Sequence, residues 1–483
     1  MRVSTMRCLA VALLLASACA TTPRPLHLAP PGLEKYSEGI DWKAVGDETA
    51  QLLSAYLQVD TVNPPGNETL GAEFLKAHLA KDGVESSIHE FAPGRGSLLA
   101  RLPATKPSGE KPLCLLSHLD VVPAEAQTWP KDKQPLSGVL VDGVVWGRGA
   151  LDTKGLGAVE VEAFLLLKRR QVPLTRDVLL LAVADEEVGE GGMRLLTDTM
   201  WSEVDCGHLV NEGGMGVKDA LAPGQTAFAI SVVEKGALWV TMKASGEAGH
   251  GSTPREERAP VRLVRALERI VKREPKPKLH PALYELLRRS GEQRGGFTGF
   301  VLQRPSLVDS FAVGKLLEKP TTRAMVTNTC QVTGFEGKGS APNVVPSQVS
   351  AILDCRVLPG TTVEALVKEL EEVVADVPGI SFELSHGFVA EASDWDDAFF
   401  DALARHAVAG RDDAIAGPTV SPGYTDSILA RKKGTRAYGF APFEVTMEEL
   451  NTMHGKDERV SVENLRRGVE VLFKAVVDGA AAP

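Results

Sequence analysis

The residues of this chain that could do chemistry are acidic and imidazole side chains that follow apolar runs. In "LCLLSHLDVVP", His118 and Asp120 are two residues apart, so in an extended strand both point the same way. An acidic run at 185–187, with Glu186 and Glu187, follows "LLLAVA", and Glu212 follows "HLVN". Each group alone is ordinary for a strand end that meets solvent. Their repetition after successive apolar runs predicts one shared site.

A further carboxylate, Asp152, lies in the glycine-rich "GRGALDTKG" just before a helical stretch. Functional groups of parallel α/β sheets gather at the carboxyl ends of the strands, so these side chains should converge there. So many carboxylates without a Lys or Arg cluster would repel one another unless a cation neutralised them. The pattern therefore predicts a metal centre, and a pair of divalent ions would balance the charge.

The elements that must position these residues are of two kinds. Continuous apolar strands alternate with helical stretches such as 155–169, which is typical of a mostly parallel sheet covered on both faces. From residue 228 the strands alternate polar and apolar residues and the helices are amphipathic, which predicts an inserted α+β domain. We predict an α/β fold with a catalytic domain from 41–227 and 389–483 and an inserted domain at 228–388. Residues 276–319 show no clear periodicity.

Composition narrows the class of protein. The 483 residues are 43% hydrophobic and 24% charged, which is ordinary for a globular protein. The formal net charge of −10 argues against a nucleic-acid partner. Cys114 and Cys355 lie in apolar strands and are interpreted as small buried hydrophobic residues. Spacing leaves open whether any of the four cysteines after residue 19 form disulfide bonds.

The first residues predict export. Arg2 and Arg7 precede an apolar run at 9–15 that is too short to span a bilayer, followed by small residues. "LLLASAC" resembles a bacterial lipoprotein signal, which predicts a signal peptide at 1–18, a lipid anchor on Cys19 and a tether at 19–40. Ordinary cleavage at "ACA" is the alternative. Either alternative predicts an exported protein, in the bacterial cell envelope, the periplasm or the medium.

The motifs, in order, resemble those of the M20 family of zinc metallopeptidases, from about Trp42 to the end of the chain. The matching stretches are "SHLDVVP", "GRGALDTKG", "DEEVGEGG", "NEGG", "GHGSTP", "APNVVPS", "DCRVLPG" and "HGKDERV". The resemblance implies a zinc-peptidase catalytic domain with an inserted lid or dimerisation domain, and a homodimer through that domain. It also implies two Zn²⁺ ions per chain, with Co²⁺ or Mn²⁺ as substitutes.

The resemblance assigns a role to each residue of the metal centre. Asp152 would bridge two metal ions, with His118 and Glu212 at one and Glu187 and His454 at the other. The bond after Asp152 would be a cis peptide. Asp120 would orient His118, and Glu186 would be the general base that takes a proton from water and delivers it to the leaving nitrogen.

Three further residues of the inserted domain match positions that meet the substrate. His250 would stabilise the oxyanion after lid closure or across a dimer. Asn343 and Arg356 would bind the substrate's carboxylate or carbonyl, because the planar guanidinium donates two parallel hydrogen bonds. "SPGYTDS" departs from the family's "GGTDA" loop at Pro422 and Tyr424, so the substrate contacts of that loop do not carry over.

The predicted activity is hydrolysis of a peptide or N-acyl amide bond beside a free carboxylate. An exported carboxypeptidase or dipeptidase is slightly favoured, with an N-acyl-amino-acid amidohydrolase as the alternative. A non-catalytic binding protein of the same fold is the alternative from another class, and the filled ligand positions argue against it. A calcium-binding module fits poorly because two imidazoles indicate a transition metal.

Overall fold

The computed structural model describes residues 24–483. The predicted signal peptide, Cys19 and the start of the tether lie outside them. The strands, in chain order, are β1 Ser86–Ala92, β2 Arg95–Leu102, β3 Leu113–His118, β4 Leu140–Val141, β5 Val144–Trp146, β6 Val178–Val183, β7 His208–Asn211, β8 Gly216–Lys218, β9 Thr226–Glu234, β10 Gly236–Ser245, β11 Gly249–His250, β12 Thr329–Glu336, β13 Val344–Val345, β14 Gln348–Val357, β15 Ile380–Phe388, β16 Ala414–Ser421, β17 Arg436–Gly439, β18 Glu444–Val445 and β19 Arg459–Ser461.

The helices connect these strands and cover the sheets. In chain order they are α1 Trp42–Leu57, α2 Glu68–Lys81, α3 Lys154–Arg169, α4 Gly191–Thr199, α5 Trp201–Val204, α6 Ala259–Lys272, α7 Pro281–Arg294, α8 Gly296–Leu302, α9 Pro305–Leu307, α10 Val313–Leu316, α11 Pro320–Val326, α12 Val363–Val373, α13 Ala398–Ala407, α14 Ser427–Lys432, α15 Met447–Leu450 and α16 Val462–Ala480. No helix in this part of the chain is both long and apolar enough to cross a membrane.

A ten-stranded sheet forms the centre of the molecule, in the order β1-β2-β6-β3-β7-β17-β9-β8-β18 with β16 beside β9. The neighbours β6, β3, β7 and β17 are parallel. Every residue of β3 and β6 is buried, as their continuous apolar sequences require. One face packs against α1, α3 and α16, and Met193, Leu196 and Leu429 cover the other. The predicted α/β class is confirmed.

A small antiparallel sheet ties the end of the chain to the Asp152 loop. β19 pairs with β5, which also pairs with β4. Arg459 lies opposite Trp146 in this register, and the Gly147 amide donates to the Glu458 carbonyl at 3.0 Å. This pairing carries the segment with His454 back to the loop that ends in Asp152.

The inserted domain contains a four-stranded antiparallel sheet, in the order β12-β14-β10-β15. α6 and α12 cover one of its faces. The predicted boundary at residue 228 falls inside β9, which belongs to the central sheet. The chain leaves the central sheet and enters the other at Lys235, between β9 and β10.

The segment without clear periodicity is helical. Residues 281–326, which we call the helical insert, contain α7 to α11 and one π-helical turn at Val308–Ala312. α7 packs on β16, and the insert shares a small core with the central sheet through Leu283, Leu286, Val326 and Ile415. These helices are short and several begin at Pro, so no single amphipathic pattern extends far enough to be read.

Cys114 and Cys355 are not free small residues. Cys114 is bonded to Cys206, and Cys330 is bonded to Cys355. The first disulfide links the start of β3 to the segment before β7, and the second joins facing residues of β12 and β14. Their burial follows from the bonded pairs packing into the two cores.

Candidate metal centre

The carboxyl ends of three adjacent strands build the centre. β3 lies between β6 and β7 and ends at His118, while β6 leads to Glu186 and Glu187 and β7 leads to Glu212. His118, Glu186 and Glu212 offer ligand atoms that all lie within 4.8 Å of one another, and so do His118, Asp152 and Glu187. The convergence predicted from the strand ends is therefore present.

Asp152 lies between two sets of ligand atoms. Its Oδ1 is 3.1 Å from Nε2 of His118, and that nitrogen is 3.4 Å from Oε1 of Glu212. Its Oδ2 is 2.9 Å from Nε2 of His454, which is 3.2 Å from Oε2 of Glu187. The peptide bond after Asp152 is cis, as the resemblance implied. The two carboxylate oxygens thus face separate sets, each with one imidazole and one glutamate.

The donor set fits transition-metal ions. Ligand atoms held about 2.0–2.2 Å from a tetrahedral zinc ion lie roughly 3.3 Å apart, close to the distances found here. Oε1 of Glu187 is buried and has no hydrogen-bond partner in the described chain. Burial and the nearby Asp152 carboxylate raise the pKa of Glu212 to about 7. Crowded carboxylates with an unsatisfied oxygen are what a bound cation would stabilise.

Glu186 differs from Glu187 and Glu212, which pair with His454 and His118, because no ion pair is found for its carboxylate within residues 24–483. Burial, followed by the negative charge of Glu212, raises its pKa well above the usual range for a glutamate. A carboxyl with a raised pKa beside a cation site suits a group that accepts a proton and later returns it.

Asp120 is completely buried and makes hydrogen bonds to His118 and to the loop that carries Glu186 and Glu187. His118 Nδ1 lies 2.9 Å from the Asp120 carbonyl oxygen, which leaves Nε2 for the metal side. The Asp120 carboxylate accepts from the backbone amides of Glu186 and Glu187, each at 3.1 Å. Asp120 therefore fixes the loop that carries the two glutamates, a role that the sequence did not indicate.

Asn63 continues this network away from the centre. Its amide nitrogen donates to Asp120 at 2.8 Å and to Asp185 at 2.9 Å. Arg95 donates to Asp185 at 2.6 Å and to both carboxylate oxygens of Glu68. Glu68, Asp120 and Asp185 are close enough to suggest another cation site, but the Arg95 guanidinium already pairs with two of these carboxylates, Glu68 and Asp185.

Glu458 supports the Asp152 loop from below. This buried carboxylate accepts from the amides of Gly149, Leu151 and Asp152 at 2.8–3.1 Å and from the Arg148 guanidinium at 2.5 Å. Arg148 also donates to the Gly455 carbonyl, next to His454, at 2.7 Å. Arg148 lies in "GRGALDTKG" and Glu458 in "HGKDERV". They are 310 residues apart, so the sequence did not indicate that they form a pair.

The three predicted substrate residues of the inserted domain lie elsewhere. His250 and Asn343 are exposed and contact each other at 3.1 Å, and His250 also contacts Ser252 at 2.7 Å. Arg356 makes a two-point ion pair with Asp354 in its own strand. Within residues 24–483, no hydrogen bond or ion pair joins these three to the metal centre.

A cavity of about 420 Å³, here called the catalytic cavity, opens beside the centre. Asp152, Glu186, Glu187, Glu212 and His454 form its polar end. The rest of its wall is largely apolar. It is lined by Met215, Val217, Ala229, Met325, Val420, Tyr424, Leu450 and Met453. Such a cavity suits a substrate with one apolar arm and a polar bond at the metal centre.

This fold and site define a hydrolase of metal-dependent type, and comparison with known sequences gives the family. Residues 114–478 match Peptidase family M20/M25/M40, and the chain belongs to this family. Its members are metal-dependent peptidases and amidohydrolases, so the chain is an enzyme of that kind.

Curated relatives and solved structures agree. The chain is 28% identical over 441 residues to the human N-fatty-acyl-amino acid synthase/hydrolase PM20D1, covering 88% of this chain and 86% of that protein. It is 26% identical to Aminoacylase-1A of Rattus norvegicus, covering 89% and 95%. The M20 family metallo-carboxypeptidase Sso-CP2 from Sulfolobus solfataricus has the same fold, with a TM-score of 0.64, 19% identity, and coverage of 89% and 99%.

Proposed function

We propose that this protein is a di-zinc amidohydrolase that cleaves N-acyl amino acids with an apolar acyl group. The observation that carries the proposal is the catalytic cavity, whose polar end holds the candidate ligands and whose remaining wall is largely apolar. The names of the relatives PM20D1 and Aminoacylase-1A are consistent with that substrate class. A dipeptidase or carboxypeptidase acting on apolar residues is the second candidate, since a peptide is also an acylated amino acid.

Each residue would have a defined task. His118, Glu212 and Asp152 would hold one ion, and Asp152, Glu187 and His454 the other. Bound zinc would polarise the scissile carbonyl and lower the pKa of water at the site. Glu186 would take the proton of the attacking water and deliver it to the leaving nitrogen. His250 would donate to the oxyanion, and Asn343 and Arg356 would bind the free carboxylate, once the inserted domain closes.

The test is hydrolysis of a panel of N-acyl amino acids and dipeptides by zinc-loaded protein, with Glu186→Gln measured alongside. Loss of a general base costs about 10²–10⁴-fold in rate, so the variant should be nearly inactive with its zinc content unchanged. An inactive parent with verified zinc would contradict the proposed substrates. An inactive parent that binds no zinc would favour the non-catalytic alternative.

We also propose export, with a lipid anchor at Cys19. The two disulfides support the proposal, because such bonds persist in oxidising compartments. Membrane fractionation of the parent and Cys19→Ser tests the anchor: the variant should move from the membrane to the soluble fraction. Equal distribution of both would contradict it.

We further propose a homodimer through the inserted domain. α6 exposes Val264 and Val271, with 67% and 68% of their surface open to solvent. They lie on the face of the helix away from its buried residues, so α6 leaves an apolar face uncovered. Sedimentation should find a dimer that Val264→Asp with Val271→Asp converts to a monomer. A monomeric parent would contradict the proposal.

A further inference from the structure

The wall of the catalytic cavity comes from separate parts of the fold. Met215, Val217 and Ala229 belong to the central-sheet region, and Leu450 and Met453 belong to the segment around α15. Met325 alone among the cavity-lining residues comes from the helical insert, where it lies on α11. The position of this one wall is therefore set by how the helical insert packs on the central sheet.

Met325 rests on the small core of the helical insert. It is partly buried and packs against the cluster that includes Leu283, Leu287 and Val313. A flexible thioether side chain in the wall can fill part of an apolar cavity or leave it open. Changes in its size should therefore change the space available to an acyl chain.

Lys235 fixes the end of the helix that carries Met325. Its ammonium group is buried and donates to the carbonyl oxygens of Ala324 at 3.0 Å and Thr327 at 2.8 Å, and to Oγ1 of Thr329 at 2.9 Å. Lys235 is also the residue at which the chain passes from β9 to β10. The connection between the two sheets thus holds α11 directly.

Glu234, the preceding residue, holds a second part of the cavity wall. Its carboxylate accepts from the Thr425 hydroxyl at 2.7 Å and from the Thr425 amide at 3.0 Å. Arg431 pairs with the same carboxylate at 3.2 Å. Thr425 and Tyr424 both line the cavity, in the loop where the sequence departs from the family pattern. Two adjacent residues therefore position two walls of one cavity.

We propose that Met325 limits the length of the acyl chain that the enzyme accepts, and that Lys235 is a positioning residue that sets where Met325 stands. The proposal rests on the proposed function, because it concerns the acyl side of that substrate. The proposal predicts that a long acyl chain contacts Met325 and that a short acyl group does not reach it. The signature is therefore a change in the ratio of long-chain to short-chain hydrolysis.

The experiment measures kcat/KM of the zinc-loaded full chain for N-acyl amino acids of increasing acyl length. For Met325→Ala we expect the ratio of long to short substrates to rise about tenfold, and for Met325→Phe to fall by a similar factor. Met200→Ala is the matched control, since Met200 is a partly buried methionine that packs on another core. It should leave the ratio unchanged.

Lys235→Met should shift the same ratio, whereas a purely structural role would lower hydrolysis of all substrates equally. If Lys235→Met does not fold, Thr329→Val can be measured in its place. That variant removes one of the three hydrogen-bond partners of Lys235 and should shift the ratio in the same direction as Lys235→Met, but by less. A parent that hydrolyses the series while all these variants keep its ratio would overturn this inference alone. A zinc-loaded parent that hydrolyses no member of the series would overturn the proposed function, and this inference with it.

Discussion

The two halves of the predicted site differ in how their side chains are held. In the catalytic domain, the candidate ligands are buried or half-buried, apart from His454, and they contact one another through Asp152. In the inserted domain, His250 and Asn343 are exposed and contact each other, and Arg356 is occupied by Asp354. One half is assembled by the fold, while the other would meet the substrate only after the closure proposed above.

The difference follows from what supports each half. Asp120, Asn63 and Glu458 are buried residues whose hydrogen bonds leave the loops of the metal centre little freedom. Cation binding needs this because the ligand atoms must stand at fixed distances before the ion arrives. Residues that bind a transition state can instead be brought in by closure. The comparison thus separates residues needed for the ion from residues needed for the reaction.

Among the predictions below, the largest effect is expected from a substitution in the inserted domain. His250→Ala should lower kcat by about 10²–10³-fold, the usual loss for an oxyanion donor, while zinc content stays unchanged. His89→Ala is the matched control, because His89 is also partly exposed and hydrogen-bonded to a serine two residues away, at 2.7 Å. Steady-state kinetics and zinc analysis check both. Unchanged kcat in His250→Ala would mean that this domain gives the reaction no such donor.

Glu458→Gln should lower zinc affinity, whereas His250→Ala should lower kcat and leave the zinc content unchanged. It weakens the support of the Asp152 loop, so we expect zinc affinity to fall about 10–100-fold, with activity restored by excess zinc. Asp401→Asn is the control, since Asp401 also forms a largely buried ion pair, with Arg24 at 2.6 Å, away from the metal centre. Competition with a chelator measures the affinities. Equal affinities in the parent and Glu458→Gln would show that the pair serves folding alone.

The sequence could predict the metal centre because its residues follow a local rule. His118, Glu186, Glu187 and Glu212 each come just after an apolar run, and adjacent parallel strands must end at the same edge of the sheet. The supporting residues follow no such rule. Asn63 and Asp120 are 57 residues apart, and only the packing of the loop after α1 against the end of β3 brings them together.

The inserted domain was harder to predict for a different reason. Polar residues recur on both sides of Lys235 within residues 226–245, so the pattern of one strand runs into that of the next and only Glu234, Lys235 and Gly236 mark the change of sheet. In the helical insert, α7 packs on β16, while the short helices after it pack on α7, on the π-helical turn and on one another, and short helices owe their stability to such packing. Its contribution of Met325 to the catalytic cavity followed from tertiary structure only.

Asn63→Ala should have a smaller effect than Glu458→Gln, because Asn63 acts through Asp120. We expect kcat to fall about tenfold, with a modest loss of zinc affinity, as Asp120 and the loop of Glu186 become less ordered. Asn464→Ala is the matched control: Asn464 bonds to both backbone groups of Glu444, at 2.7 and 2.9 Å, and makes no contact with the metal centre within residues 24–483. A larger loss of zinc affinity in Asn63→Ala than in Glu458→Gln would mean that Asn63 supports the metal centre more strongly than Glu458 does.

The smallest expected effect lies at the opposite end of β7 and concerns stability alone. Asp397 accepts from His208 and Arg436, each at 3.0 Å, and although burial opposes it, these contacts lower its pKa below the usual range. Because the pKa of Asp397 is lower in the native state, the ionised carboxylate stabilises the fold at pH values above its unfolded pKa of about 3.9. This stabilisation is lost as the pH falls from that value towards the native pKa. Asp397→Asn should cost about 1–2 kcal/mol in the free energy of unfolding at pH 7.

That cost should shrink below about pH 4, because the unfolded chain of the parent then takes up a proton at Asp397 while the native carboxylate stays ionised. Denaturant unfolding at several pH values measures it, with Asp47→Asn as the control, an exposed carboxylate paired with Lys43 at 2.7 Å. Hydrolysis at pH 7 should be unchanged in both variants, because the network holds the start of β7 while Glu212 follows its end. A loss of activity in Asp397→Asn would instead mean that the two ends of β7 are coupled, and that the metal centre depends on more of the sheet than its carboxyl edge.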